Sequence, residues 1–121
     1  MSGGLPLIIE GKAFDPFFMQ EPQRQGKTIV AYHPTTRTIR VIVQRNYYTK
    51  AYEHQDVGMA MSEIRNKLMK EGFTNALSFD GNDSVMLLLD KEVLVAPNPL
   101  KDGWLKTGMT FRAKQVTVNG K

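Results

Sequence analysis

A chain of 121 residues, 41% hydrophobic and 23% charged, with a net charge of +4, holds one domain with one core and too little for two, and its composition excludes a disordered polyelectrolyte. It contains no cysteine, which excludes disulfides, thiolate metal sites and a cysteine nucleophile. No stretch approaches membrane-spanning length, and the opening MSGGLPLIIEGK lacks the basic region and long apolar run of a secretory signal. The expected setting is the cytoplasm by default, or outside the cell if this is a mature or excised domain.

In chain order, residues 5–10 form a short apolar run closed by Gly11 and Lys12, a strand and a turn. Residues 14–25 hold two prolines and three aromatics and read as an irregular connection. Residues 28–32 and 38–43 are two strands joined by the turn formers of His33-Pro34-Thr35-Thr36-Arg37, so a hairpin is expected. In the second strand Ile39, Val41 and Val43 alternate with Thr38, Arg40 and Gln44, the period-two pattern of a half-buried strand. Residues 44–57 show no periodicity and read as a long loop.

A helix is predicted over about 60–71, with Met61, Ile64 and Leu68 as its apolar stripe and Glu63, Arg65, Asn66, Lys67 and Lys70 on the wet side. Gly72 fits the left-handed residue that ends a helix, with Phe73 folding back on the last turn. Strands follow at 75–79, 85–89 and 92–96, with Asp90-Lys91 as a tight turn, and residues 109–118 alternate well enough for one more. One helix against six or seven strands makes the fold α+β, with a mainly antiparallel sheet in a single domain over 1–121.

The charge is unevenly spread. Arg24, Lys27, Arg37, Arg40, Arg45 and Lys50 lie between Glu21 and Glu53 with no acid among them. Lys101, Lys106, Arg112, Lys114 and Lys121 close the chain against Asp102 alone. Such a field suits phosphate-bearing small molecules or nucleic acid, and equally a solvated basic surface.

Asp80-Gly81-Asn82-Asp83-Ser84 is the densest cluster of chemical groups in the chain. Coming directly after a strand, it can present a carboxylate for acid, base or nucleophilic work beside glycine N–H groups that hold an anion. The same residues are ordinary turn formers and equally make a plain hairpin connection. A calcium loop is excluded because Lys91 stands where the bidentate glutamate would be.

Taken together, Gly58-Met-Ala-Met-Ser-Glu-Ile64, Gly72-Phe-Thr-Asn-Ala-Leu-Ser-Phe-Asp80-Gly-Asn-Asp-Ser84 and, earlier, Ser2-Gly-Gly-Leu-Pro-Leu-Ile-Ile-Glu-Gly-Lys12 resemble the blocks of the phosphodiester glycosidase family. That family carries a G-x-T-L-x-E-L helix, then N-A-L-N-L-D-G-G-G-S-S, after a G-G-P-x-L-V-x-D-G-K strand. Gly26-Lys27-Thr28-Ile29-Val30 stands where the family has P-R-T-A-I-G. Order and spacing agree from about residue 3 to about residue 112. The family includes the enzyme that removes N-acetylglucosamine from a sugar phosphodiester to uncover mannose 6-phosphate.

The resemblance implies a hydrolase of sugar-phosphate or nucleotide-like phosphodiesters, working with no cofactor and no metal. It casts Asp80 as acid/base or orienting carboxylate and Lys27 as phosphate contact. Gly81, Asn82, Asp83 and Ser84 would line the substrate cradle. Asn82 and Asp83 replace two family glycines, and Lys27 replaces an arginine, losing its bidentate fork. His54, between Glu53 and Asp56, is a further candidate proton carrier. Arg40 is a candidate ligand contact, and Trp104 a ring that could stack on a sugar. His33 is expected to face solvent. The alternatives are a non-catalytic module that holds an anionic ligand on the same fold, or a basic effector acting on nucleic acid, for which Tyr47, Tyr48 and Tyr52 among Arg45 and Lys50 supply rings and charge. No membrane partner is expected, and a homo-oligomer is compatible with the sequence.

Overall fold

The computed structural model describes residues 5–14, 26–46, 58–79, 85–95 and 109–112. Seven strands and one helix appear there, in the order β1 (Leu5–Ile9), β2 (Lys12–Ala13), β3 (Lys27–His33), β4 (Thr38–Gln44), α1 (Met61–Lys70), β5 (Asn75–Ser78), β6 (Leu87–Leu89) and β7 (Glu92–Val95). The fold is α+β. Five strands make an antiparallel sheet in the order β2-β1-β5-β3-β4, and β6 and β7 pair in a sheet of their own. Residues 109–112, expected to open a last strand, are exposed and unpaired; the remainder of that expected strand lies outside the described residues.

Two hairpins turn on two residues each. Glu10 and Gly11 have φ of 49° and 79°, and Asp90 and Lys91 have 48° and 70°. Positive φ at both central residues gives the turn whose twist matches that of paired strands. In β1 the register slips between Pro6, opposite Leu77, and Ile8, opposite Ala76. The extra residue lets both Leu7 and Ile8 turn inward, where both are fully buried.

Helix α1 lies on one face of the sheet. Ile64, Leu68 and Phe73 meet Leu7, Ile8, Ile29, Ala31 and Ala76 in the core, with Ile42, Met59, Met61 and Met69 packed at its margin. The stripe behaves as its spacing predicts, with one exception. Arg65, expected on the wet side, is buried. Its Nη1 donates to the Phe14 carbonyl at 2.8 Å, and its Nε and Nη2 donate to Asn66 Oδ1 at 3.1 and 3.0 Å. A long aliphatic stem beside the apolar stripe lets an arginine cover the core flank while its head finds acceptors.

The strand β4 is half-buried, and its pairing decides which face meets α1. Residues directly opposite in an antiparallel pair share a face. Ile29 sits opposite Ile42, Ala31 opposite Arg40 and Lys27 opposite Gln44. The helix-facing row of β4 is therefore Gln44, Ile42 and Arg40. Ile39, Val41 and Val43 turn to the other face with Val30 and Leu77. Alternation identified the apolar side of the strand correctly, but the side toward α1 carries polar groups that hold the helix ends.

The C-terminal end of α1 is fixed by backbone and ring together. Gly72 N–H donates to the Met69 carbonyl at 3.1 Å and Phe73 N–H to the Leu68 carbonyl at 3.0 Å. This is the Schellman pattern, with Gly72 left-handed at φ 95°. His33, expected to face solvent, is half-buried against this turn. Thr36 N–H donates to its Nδ1 at 3.2 Å, which leaves Nε2 as the protonated nitrogen, donating to the Glu71 carbonyl at 3.0 Å. The imidazole also stands edge-on to Phe73, with ring centroids 5.1 Å apart.

A Cβ on Gly72 would lie 2.7 Å from His33 Nε2, and the left-handed backbone adds strain of about 1–2 kcal/mol for any L side chain. Gly72→Ala should therefore lower the denaturant midpoint of unfolding by the equivalent of at least about 1–2 kcal/mol. Ala at exposed Lys67, within the helix, should leave it nearly unchanged. Equal midpoints for Gly72→Ala and wild type would show that the turn does not constrain the fold.

Candidate functional site

The sheet has two unlike ends. At one end, short connections close the elements: the Glu10–Gly11 turn, residues 34–37 between β3 and β4, and the helix cap at Gly72. At the other end β3 begins, β4 and β5 finish and α1 starts. The segments 15–25, 47–57 and 80–84, all outside the described residues, join the chain there at Gly26, Asn46, Gly58 and Phe79.

This second end is built by polar groups on the helix side of the sheet. Gln44 Oε1 accepts from Met59 N–H at 2.8 Å, and Gln44 Nε2 donates to the Met59 carbonyl at 3.0 Å. One side-chain amide thus satisfies both backbone groups of Met59, as a neighbouring strand would. Immediately after it, Ala60 N–H donates to Glu63 Oε1 at 2.9 Å and Ala60 C=O accepts the first helical bond, from Ile64 N–H, at 3.2 Å. Alanine has no side-chain oxygen, so Glu63 supplies only its half of a capping box. Across the hairpin, Gly26 N–H donates to Asn46 Oδ1 at 2.9 Å.

Lys27 is the most deeply buried charged residue among those described. It lies opposite Gln44 and is only 3% exposed. A lysine so far from water has to be engaged by polar or negative groups, and Lys27 does have an interacting partner. β5 ends beside it: Ser78 pairs with Ile29, and Phe79 N–H donates to the Thr28 carbonyl at 2.8 Å. Asp80 is the next residue along the chain.

The sequence candidates divide accordingly. Asp80, Gly81, Asn82, Asp83 and Ser84, together with His54 and Trp104, lie outside the described residues. Lys27 occupies the end at which the 80–84 segment leaves β5. Arg40 does not. It pairs with Ala31, four residues along β3 from Lys27, roughly 13 Å at the rise of a strand. There its Nη1 donates to both carboxylate oxygens of Glu71 at 3.1 Å, and its guanidinium carbon stands 4.5 Å from the centroid of the Phe73 ring. Lys27 and Arg40, which charge counting groups together, are thus separated by the register. Arg40 serves the helix cap.

Gln44 was not singled out by its sequence, where it is one polar residue among several after an apolar strand. Only the pairing of β4 with β3, which turns position 44 toward the helix start, reveals its role. No family model matches the chain, and no match was found among curated proteins or solved structures. No described helix is long and apolar enough to cross a membrane.

Removing the Gln44 side chain should strand two half-buried backbone groups of Met59. Gln44→Ala should cost about 1–3 kcal/mol and should speed amide hydrogen exchange at Met59 while leaving Ile42, inside the β3–β4 ladder, protected. Unchanged exchange at Met59 would show that the amide clamp is not made in solution.

Proposed function

We infer that the chain is a hydrolase of the phosphodiester glycosidase type, acting on a sugar-phosphate or nucleotide-like phosphodiester at the 80–84 loop. The observation that carries this inference is the meeting of Lys27, the end of β5 and the start of α1 at the end of the sheet from which that loop departs. These are the positions at which the quoted sequence blocks place a phosphate contact and a carboxylate.

Two features of this end can attract an anion: Lys27, and the partial positive charge at the start of a ten-residue helix, which the Glu63 carboxylate in its first turn offsets in part. Gly81 supplies a backbone N–H free of side-chain crowding, and Asn82 and Ser84 supply polar groups suited to phosphate oxygens. Hydrolysis at the anomeric carbon then needs a group that takes a proton from the attacking water or gives one to the leaving oxygen. Asp80 has that role, with His54 as the second candidate proton carrier. The buried position of Lys27 suits a group that fixes the Asp80 carboxylate as well as one that meets phosphate directly. Trp104 would act as a stacking ring. Arg40 has no part in this site, since Glu71 and Phe73 already engage it.

Wild type and Asp80→Asn should be compared on an N-acetylglucosamine-1-phosphodiester, with sugar release followed by NMR. Wild type should release free sugar, and Asp80→Asn should lower turnover about a hundredfold or more with an unchanged far-ultraviolet spectrum. Lys27→Ala should weaken binding of the substrate more than it weakens binding of the free sugar. A folded wild-type protein that releases no sugar would overturn activity on this substrate class.

A further inference from the structure

We propose that the sheet face opposite α1 is the interface of a two-fold dimer, covered by a second copy of this chain together with that copy's β6–β7 hairpin. The face is made by the residues that the register turns away from the helix: Ile9 of β1, Val30 and Tyr32 of β3, Ile39, Val41 and Val43 of β4 and Leu77 of β5, with Thr28 and Asn75 as its polar members. Ile39 is 58% exposed, Leu77 43% and Tyr32 40%. A sheet apolar on both faces has to be covered on both, and contiguous apolar surface of this kind marks an interaction site.

The hairpin presents a matching surface. Leu88, Leu89, Val93 and Leu94 are each about half exposed, and neither β6 nor β7 joins the five-stranded sheet. A lone two-stranded hairpin is marginal in water and needs a surface to rest on.

Area and charge favour a second copy as the occupant. Four strands about 4.8 Å apart and up to seven residues long give the sheet face a flat footprint of roughly 400 Å², about half of what each partner of a stable dimer buries. The two faces of the hairpin add roughly 250 Å². Only a partner that brings its own sheet face and hairpin supplies both contributions in both directions, and a two-fold copy does so by symmetry. Despite the chain's net charge of +4, the face sets no like charges against each other. Of the described residues in its strands, only Lys12 places a charge on this side, at the far edge opposite Ile9. The dimer is independent of the hydrolase activity, and each can fail without the other.

Sedimentation velocity on the full chain, from low micromolar to millimolar concentration, should show a species of about twice 13.7 kDa. Leu77→Lys and Ile39→Lys, each placing a cation against its two-fold mate, should weaken self-association about a hundredfold or more. Because Ile39 is more than half exposed in the single chain, Ile39→Lys should keep the native circular dichroism even if Leu77→Lys does not. The chain has no cysteine, so Val30→Cys can be cross-linked with a short bismaleimide. It should yield a covalent dimer, and Lys70→Cys on the outer side of α1 should not. A wild type that stays monomeric across the range overturns the proposal, as does a dimer that cross-links through position 70 rather than 30. Unfolding of both lysine variants with no dimer in wild type would show that the chain covers this face itself, which also overturns it.

Discussion

The structure depends on a close approach between a glycine and an imidazole. Gly72 leaves α1 in a left-handed conformation with no Cβ, so His33 can come up against the turn and donate to the Glu71 carbonyl. That contact ties the helix end to the end of β3. Two residues later Thr74 donates its N–H to the Tyr32 carbonyl and accepts from Gly11 N–H. The chain is thus held between β3 and the β1–β2 turn before β5 begins. The central strand of the sheet is aimed by the helix cap that precedes it.

The β3–β4 hairpin serves the helix at both ends. Its helix-facing row runs Gln44, Ile42, Arg40 along β4. Gln44 takes both backbone groups of Met59 at the start of the helix, Ile42 packs against the core at its middle, and Arg40 pairs with Glu71 at its end. The exposed Arg40–Glu71 pair adds little by itself, but the same guanidinium lies over Phe73, whose ring is buried, so the cation also shields the aromatic end of the core. One end of the sheet is closed by tight turns and caps, and the other carries the long connections.

Much of this was legible from local pattern. The stripe at Ile64 and Leu68, the left-handed Gly72, the Asp90–Lys91 turn and the strands on either side of each appear because their signals are local. What needed the structure was non-local. Alternation in β4 distinguished two faces, but the pairing with β3 decided which of them met the helix. Arg65 reads as solvated from its charge, and only the Phe14 carbonyl across the fold explains its burial. Lys27 and Arg40 fall in one basic stretch of sequence, and the strand register sends them to opposite duties. For the candidate site, order along the chain was sufficient to place residues 80–84 shortly after a strand. It was not sufficient to show that β3 opens beside that strand, with a buried lysine at its start.

The position of β5 also sets an order of assembly. Leu5 pairs with Ser78 and Ile29 pairs with the same residue from the other side, so β1 and β3 have no edge in common until β5 arrives. The two early hairpins can form from neighbours in sequence, but they cannot become one sheet before β5 joins them. A sheet joined by its last strand has high contact order and closes slowly. Until it does, the edges of β1 and β3 stay open to pairing with other chains. For this fold, the speed with which β5 docks between β1 and β3 is therefore a determinant of whether newly made chains mature or aggregate.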